Sequence, residues 1–399
     1  MRFISLFSGA GGLDLGLETA GLECVLATDH DTDAAATLKL NRGLRLANGS
    51  RALAETQILE ADVRGITGRR ILELTGSVRG GIPLLAGGPP CQSWSSGGRQ
   101  LGFADARGRL VDEYLRIASE VDARWLVFEN VRGLLTARGL DGRPGSALQS
   151  IRAELFRRGW QTQVELLNAA DFGVAQRRIR LIIIGYRAGD APAFPQPTHS
   201  ETDADRAWVS MRECLKAIAP VLPEEVIRPT GKMASELQNV AAGSGVKSPG
   251  KRETTRPGGH WGYKQGAFVA DLDRPGRTVT ASSQQDWIRD EALGLRRLCP
   301  RECAALQSFR ADWQFAGERS SQYRQIGNAV PPVLGEAIGR ALMRHHLRQH
   351  DLCAAPKWNQ LAPLPNRLQS AVRYTEREEA RNGESRREAS RASVTRVRG

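Results

Sequence analysis

Short apolar runs alternate with longer segments of helical periodicity through the first half of the chain. Five runs have the length of a buried strand: FISLF, CVLATD, IPLLAGG, WLVFEN and IRLIIIGY. Nearly unbroken apolar runs are typical of parallel strands that are covered on both faces. The pattern therefore predicts an α/β fold, in which a parallel sheet carries helices on both faces. Ligands bind at the carboxyl ends of such strands, and here those ends carry Ser8, Asp29, Gly88 and Asn130.

The pattern changes after Arg187, where prolines become frequent and a stretch rich in glycine, lysine and arginine follows at 243–266. This change predicts a second, smaller and irregular domain. Periodicity returns in VPPVLGEAIGRALMRHHL at 330–347, whose apolar stripe predicts a helix packed on a core. Beyond residue 350 apolar residues become sparse, which predicts a disordered basic tail. The predicted divisions are 1–186 for the main domain, 187–273 for the smaller domain, 274–348 for a segment that returns to the main domain, and 349–399 for the tail.

The chain is basic, which favours a polyanionic partner. Among its 399 residues, 56 are Lys or Arg and 44 are Asp or Glu, a formal net charge of +12. Between 226 and 270, seven Lys or Arg stand against two Glu, with Trp261 and Tyr263 among them. Basic residues mixed with aromatics suit a nucleic-acid face, although a solvated basic loop would have the same composition.

The remaining composition predicts a cytoplasmic protein. Six cysteines in so long a chain form no dense disulfide framework, which fits a reducing compartment. The start of the chain has no secretory-signal pattern, and no apolar run reaches the roughly 18 residues of a membrane span.

The first strand runs into FSGAGG, whose small residues let backbone amides approach a ligand. Asp29 closes the second strand about 20 residues later, where a carboxylate can accept hydrogen bonds from ribose hydroxyls. The two features together indicate a nucleoside cofactor. They do not separate a nicotinamide cofactor from S-adenosylmethionine, and a purely structural turn is an open alternative.

The segment GGPPCQSWSS at 87–96 places Cys91 directly after a strand, behind two prolines that restrict the backbone. A cysteine reacts as its thiolate, so a nucleophile needs a positive neighbour or a helix terminus to activate it. Many lone cysteines are buried and inert. The double proline, the flanking glycines and the polar residues that follow favour a nucleophile here.

Two further motifs place charged residues at strand ends. In FENVRGL, Glu129 ends a buried strand, where a carboxyl can have a raised pKa and hold a proton to donate. In QRRIR, Arg178 and Arg180 alternate and so share one face of a strand. Two guanidiniums on one face need an anion or a polar base edge, unless they form an ordinary salt-bridged start to a strand.

These motifs resemble those of one family, the S-adenosylmethionine-dependent DNA (cytosine-5) methyltransferases of prokaryotic restriction-modification systems. FSGAGG, PPCQS, ENV, QRRIR and, at 325–332, QIGNAVPP are similar to five of its motifs in order and spacing. The resemblance implies a Rossmann-like methyltransferase sheet with helices on both faces, plus a smaller irregular target-recognition domain at 187–273. It also implies that Cys91 adds to carbon 6 of a flipped cytosine, that Glu129 holds a proton at ring nitrogen 3, and that Arg178 and Arg180 hold the base oxygen and a phosphate.

The resemblance further implies which residues line the two binding sites. The residues expected at the cofactor are Phe7, Gly9, Gly11, Gly12, Asp29, Asp62, Pro90 and Asn328. Those expected at DNA are Gln92, Ser93 and Ser95 in the loop after the nucleophile and Arg252, Arg256, Trp261 and Lys264 in the smaller domain. Ser8 replaces the usual alanine of the first motif, and Asp29 replaces the usual glutamate, which puts its ribose contact in doubt.

Other readings remain open at this point. A tRNA-modifying branch of the same family, a catalytically silent DNA-binding relative and a nicotinamide dehydrogenase are the alternatives. No metal is expected, because His345, His346 and His350 suit the end of a basic helix, and Cys299 and Cys303 have no second pair. The expected partner is double-stranded DNA, with a restriction endonuclease acting on the same site without direct contact, and a monomer is expected.

Overall fold

A computed structural model of the chain describes residues 1–90, 109–247, 266–348, 358–378 and Arg381. Within these ranges the strands are β1 (Arg2–Leu6), β2 (Glu23–Asp29), β3 (Gln57–Glu60), β4 (Leu84–Gly87), β5 (Trp125–Val131), β6 (Gln161–Asn168), β7 (Ile179–Tyr186), β8 (Ser244–Gly245), β9 (Phe268–Val269), β10 (Trp287–Asp290) and β11 (Gly294–Arg297). The helices are α1 (Gly12–Thr19), α2 (Thr32–Leu40), α3 (Gly68–Leu74), α4 (Arg109–Val121), α5 (Ser146–Arg157), α6 (Met211–Lys216), α7 (Gly231–Gln238), α8 (Pro300–Leu306), α9 (Arg319–Asn328) and α10 (Pro332–Arg348).

The main sheet has seven strands in the order β3-β2-β1-β4-β5-β7-β6, and the α/β fold is confirmed. Its strands are parallel except β7, which runs antiparallel to β5 and β6. The prediction of a wholly parallel sheet is therefore wrong at IRLIIIGY. An apolar run reports burial on both faces of a sheet, and it does not encode strand direction. The edge strands β3 and β6 escaped prediction because they are only partly buried.

Alternate residues of the central strands feed two hydrophobic cores, one on each face of this sheet. Phe3, Leu84 and Ile182 point into one core, whereas their neighbours Ile4, Leu85 and Ile183 point into the other. This alternation is the ordinary consequence of strand geometry. The two cores hold the helices against both faces of this sheet.

Helix α10 confirms the predicted last helix and packs directly on α1. Leu334, Ile338 and Leu342 are buried in the core. A Cβ built on Gly16 of α1 would lie 2.3 Å from the carbonyl oxygen of Pro332, so the two helices touch through backbone at that point. The segment after residue 274 thus returns beside the glycine turn that opens α1.

The smaller sheet has the order β11-β10-β9-β8 and its own core of Leu237, Val240, Val269 and Trp287. Strands β10 and β11 lie beyond residue 273, so the predicted boundary between 187–273 and 274–348 cuts through this sheet. The reason is that the hairpin 287–297 pairs with β9, a long-range contact that local composition does not report.

The prediction of a disordered tail over 349–399 is wrong for residues 358–378. Leu364 and Leu368 are buried in a core of the main domain, and a helix covers 366–378. The Gln161 side chain accepts from the Ala362 amide at 3.0 Å, which ties this segment to the edge strand β6. Two buried leucines four residues apart dock a segment whose average composition is polar. Among the described helices, none is long and apolar enough to cross a membrane.

Candidate active site

The carboxyl ends of β1, β2, β4 and β5 lie at one edge of the main sheet, where the predicted chemistry was placed. The described chain continues past β4 through Pro89 and Pro90. Eight predicted residues fall outside the described part of the chain: Cys91, Gln92, Ser93, Ser95, Arg252, Arg256, Trp261 and Lys264. Cys91 directly follows Pro90, the last residue of the described segment 1–90.

Glu129 is buried at the end of β5, next to the segment that leads to Cys91. Its Oε1 lies 2.8 Å from Arg180 Nε in an ion pair whose side chains are 10% and 11% exposed. A Cβ built on Gly88 would lie 2.6 Å from Glu129 Oε2, so only glycine fits beside this carboxyl without displacing it. Asn130 donates to the carbonyl oxygen of Pro89 at 3.2 Å, which fixes the strand end against the double proline.

Burial raises the pKa of Glu129, although the charges of Arg180 and Arg178 and the hydrogen bond from Arg180 act to lower it. A carboxyl in this environment gains less from ionising than one in water. The direction agrees with the predicted role of a proton donor and is the chemistry expected of a general acid.

Arg180 lies in β7 and Arg178 directly precedes that strand, and the two arginines make different contacts. Arg180 pairs with Glu129, whereas Arg178 is wholly buried and donates to the carbonyl oxygens of Val279 at 3.1 Å and Gly327 at 2.7 Å. Arg178 thus joins its own segment to two others that lie 101 and 149 residues further along the chain, and its charge acts on Glu129. These two contacts position the guanidinium of Arg178, and its predicted contact with a base or phosphate stays a prediction.

Two buried glutamines that the sequence did not single out as site residues complete this connection. Gln176 accepts from the Val279 amide at 2.9 Å and donates to Gln307 Oε1 at 3.1 Å. Gln307 donates in turn to the carbonyl oxygen of Ile326 at 2.6 Å. Gln176 lies in the QRRIR motif and could have been found there. Gln307 carries no local signal, because its partners are distant in sequence.

The glycine turn after β1 has the backbone of a ligand-binding loop. Phe7, Gly9 and Gly11 all have positive φ angles, of 57°, 54° and 76°. Among the described residues, no heavy atom lies within 4 Å of the position that a Cβ on Gly9 would take, so the loop faces open space there. Gly12, in contrast, is packed against the backbone of Val330, where a Cβ would lie 2.2 Å from the carbonyl oxygen.

Asp29 lies beside this loop and is only 12% exposed. Its Oδ2 accepts from the Gly9 amide at 2.8 Å and its Oδ1 from the Asp31 amide at 3.0 Å. The neighbouring His30, which was not predicted, places Nδ1 3.3 Å from Asp29 Oδ1. Asp29 therefore organises the loop as well as lying where a ribose contact was expected.

Asp62 and Asn328 are both accessible at this edge. Asp62 forms an ion pair with Arg64, whose hydrogen bonds lower the pKa of Asp62 to about 2. A nucleoside contact would have to compete with that arginine, so the alternative of a surface loop acid stays open. Asn328 is exposed at the end of α9, next to Gly327, which contacts Arg178. Pro90 is half-buried at the end of the described segment.

The sheet, the glycine turn after β1 and the acidic side chain after β2 are those of a Rossmann-like fold that binds a nucleoside cofactor. The chain belongs to the C-5 cytosine-specific DNA methylase family, whose family model matches residues 1–344. It is thus a DNA cytosine-5 methyltransferase, and the dehydrogenase alternative is excluded.

Similar proteins support this assignment. The chain is 33% identical to the type II methyltransferase M.Sau96I of Staphylococcus aureus, over 86% of this chain and 75% of the relative. It is 32% identical to the type II methyltransferase M.Eco47II of Escherichia coli, over 85% and 78%. Among solved structures, a mutant of Spodoptera frugiperda DNMT2 is similar with a TM-score of 0.60 at 16% identity, over 86% of this chain and 99% of that one. This structural likeness shows the fold alone.

Proposed function

We propose that this chain methylates carbon 5 of a cytosine in a specific duplex DNA sequence, as the modification enzyme of a restriction-modification system. The observation that carries the proposal is Glu129, a buried carboxyl with a raised pKa, held against Gly88 three residues before Cys91. The type II names of its relatives support the restriction-modification role. The enzyme acts as a monomer in the cytoplasm, and a cognate endonuclease acts on the same site without direct contact.

Cytosine carbon 5 is a poor nucleophile because its electrons belong to an aromatic ring. The Cys91 thiolate forms a bond to carbon 6, and the displaced electron pair moves towards carbon 5. Glu129 holds or supplies the proton at ring nitrogen 3, which prevents negative charge from accumulating on the ring. Covalent catalysis of this kind divides one difficult step into easier ones. Carbon 5 then uses this electron pair to take the methyl group from the sulfonium donor, which leaves as a neutral thioether. A base removes the carbon 5 proton, the ring nitrogen 3 proton returns to Glu129, and the electrons from the broken C–H bond expel the thiolate and restore the ring.

The cytosine must leave the duplex before these groups can reach it. Flipping a nucleotide out of the stack costs a few kcal/mol, which contacts in the pocket offset. Arg178 and Arg180 hold the base oxygen and a nearby phosphate, and two carbonyl oxygens fix the position of Arg178. The smaller domain, with Arg252, Arg256, Trp261 and Lys264, reads base edges in the major groove.

The glycine turn fits a nucleoside cofactor, because it combines open space at Gly9 with an acceptor at Asp29. S-adenosylmethionine, when bound, supplies an electrophilic methyl carbon for transfer to carbon 5. In this proposal its site is lined by Phe7, Gly9, Gly11, Gly12, Pro90 and Asn328. Asp29 accepts from the ribose hydroxyls and Asp62 from the adenine amino group. No metal enters this chemistry.

The first test is to express the chain in a host without cytosine methylation and to sequence the DNA for 5-methylcytosine. A duplex that carries 5-fluorocytosine at the target should then trap a covalent adduct, because fluorine cannot leave as a proton does. Cys91→Ser should abolish both adduct and turnover while DNA binding persists. Cys214→Ser, at a half-buried cysteine on α6, is the matched control and should retain both. A fully active Cys91→Ser variant, or methyl transfer to tRNA in place of duplex DNA, would overturn the proposal.

A further inference from the structure

A second buried carboxyl lies behind the glycine turn. Asp14, in the first turn of α1, is 1% exposed, and its Oδ1 accepts from Ser5 Oγ of β1 at 2.5 Å. Ser8 Oγ, within the turn itself, donates to Ser5 Oγ at 2.9 Å. Two hydroxyls thus connect the turn and the strand to one carboxyl on the helix. Among the described residues, Asp14 Oδ2 has no hydrogen-bond partner.

The same helix offers a buried carboxyl of a different kind for comparison. Glu18 accepts from the Leu53 amide with both oxygens, at 2.9 and 3.2 Å, and so anchors a neighbouring loop. These hydrogen bonds to both oxygens offset part of the free-energy cost of burying Glu18. Asp14 has no comparable explanation, because an unsatisfied buried carboxylate oxygen costs free energy that a merely structural hydrogen bond to Ser5 does not require.

Burial raises the pKa of Asp14 to about 6, even though the hydroxyls of Ser5 and Ser8 act to lower it, and the charge of Asp29 adds to the increase. Asp14 is therefore poised near neutrality, where a nearby positive charge decides whether it is ionised. A cation in a poorly solvated site interacts strongly with such a group. The group expected in front of this turn carries a positive sulfonium before methyl transfer and a neutral thioether afterwards.

We propose that Asp14, held by Ser5 and Ser8 behind the glycine turn, is a positioning residue that makes the pocket favour the cationic methyl donor over its neutral product. This inference rests on the proposed function, in which the turn binds S-adenosylmethionine. Such a preference would help the enzyme to release S-adenosylhomocysteine after each transfer. It assigns a role to a side chain that makes no contact with DNA.

Other charged groups near Asp14 have to be separated from it in any test. Asp29 faces it from β2, and Glu18 lies one turn further along α1, with its pKa raised to about 8 mainly by burial. Cys24 of β2 has its pKa raised well above the ordinary value by burial. On α10, which packs against α1, Glu336 is paired with Arg340. Between about pH 5 and pH 7.5, neither Glu18 nor Cys24 is expected to change its charge greatly.

The test is equilibrium binding of S-adenosylmethionine and S-adenosylhomocysteine to the full-length chain, by titration calorimetry from about pH 5 to pH 7.5. Binding of the cation displaces the Asp14 proton, so the affinity for S-adenosylmethionine should fall on acidification, by about tenfold for each unit by which the cation lowers the pKa. The affinity for S-adenosylhomocysteine should change by less than about twofold. Asp14→Asn should weaken S-adenosylmethionine about tenfold at pH 7.5, with no remaining dependence on Asp14 protonation.

Two variants keep the test decisive. Ser5→Ala removes a hydrogen bond that favours the ionised carboxyl, so the midpoint of the pH dependence should move to higher pH. Glu18→Gln, the matched control on the same helix, should leave the difference between the two nucleosides intact. Equal pH dependence for both nucleosides, or an Asp14→Asn protein with the original dependence, would overturn this inference alone. A chain that binds neither nucleoside would overturn the proposed function with it.

Discussion

Two buried arginine–carboxylate clusters in this molecule have the same chemical groups and different surroundings. At the active site, Arg180 Nε lies 2.8 Å from Glu129 Oε1, and the other oxygen of Glu129 faces Gly88. Near the smaller sheet, Arg296 binds both oxygens of Glu302 at 2.7 Å each and also binds Asp290. Glu302 further accepts from the Cys299 amide at 2.9 Å.

In these two clusters the pKa values of the carboxyl groups shift in opposite directions. Burial acts to raise the pKa of Asp290, but hydrogen bonds from Leu293 and Arg296 outweigh it and lower that pKa. At Glu129 burial prevails and the pKa is raised in spite of two arginines. In these two clusters, the carboxylate of Asp290, which accepts from Arg296 and two amides, keeps its charge and serves the structure, whereas the buried Glu129 carboxyl can still exchange a proton and serve the proposed reaction.

The largest effect is expected for Glu129→Gln, which should reduce turnover by about 10²–10⁴-fold, the range associated with losing a general acid. The unfolding free energy of Glu129→Gln near pH 7 should equal or exceed that of the parent. A raised folded-state pKa means that folding disfavours the ionised form above the ordinary value of 4.5, and glutamine resembles the neutral form. Single-turnover methylation and denaturant unfolding of the same preparation measure the two quantities. A large loss of unfolding free energy would mean that Glu129, like Glu302, mainly stabilises the fold.

Arg296→Met should give the opposite result. Removing the cation leaves Glu302 and Asp290 without their shared partner, in a place where Arg296 and Glu302 are 3% and 2% exposed. The expected loss is about 3–5 kcal/mol of unfolding free energy, the usual cost of breaking a buried ion pair.

The methylation rate per folded molecule, measured at low temperature, should remain within about twofold of the parent for Arg296→Met. The control is Arg340→Met, which breaks an exposed pair with Glu336 and should cost at most about 1 kcal/mol. If Arg296→Met and Arg340→Met unfolded at the same denaturant concentration, the distinction between the two clusters would fail.

Local motifs in the sequence predict where the candidate active site lies, because they stand at the ends of buried strands. Glu129 and Asp29 follow apolar runs, and strand ends are where parallel sheets bind ligands. The contacts that differentiate Arg178 from Arg180 were not predictable, because Val279 and Gly327 are 101 and 149 residues away from Arg178. Asp14 was also missed, since an acidic residue in the first turn of a helix is common and its burial depends on how α10 covers α1.

Arg178 allows a finer test, because it lies at the site but is bonded like a structural residue. Arg178→Lys keeps the charge and loses the forked geometry that reaches two carbonyl oxygens. We expect a loss of about 1–3 kcal/mol in unfolding free energy. The affinity for a duplex containing the target should change less than it does in Arg180→Lys. A weaker affinity for DNA in Arg178→Lys with unchanged stability would favour the direct base contact predicted for Arg178.

The smallest effect is expected for Asp290→Asn, and its pH dependence gives it diagnostic value. Because the folded-state pKa of Asp290 lies below its ordinary value of 3.8, its stabilisation is complete above that value and disappears as pH falls through the folded-state pKa. Asparagine still accepts the amide hydrogen bonds of Ala292 and Leu293, so the loss at pH 7 should be only about 1 kcal/mol. Unfolding measured at pH 7 and well below pH 3.8 should show the parent and variant converging in acid. A constant difference would mean that Asp290 contributes through shape and not through its charge, and the contrast between the Asp290 and Glu129 carboxyl groups would then be wrong.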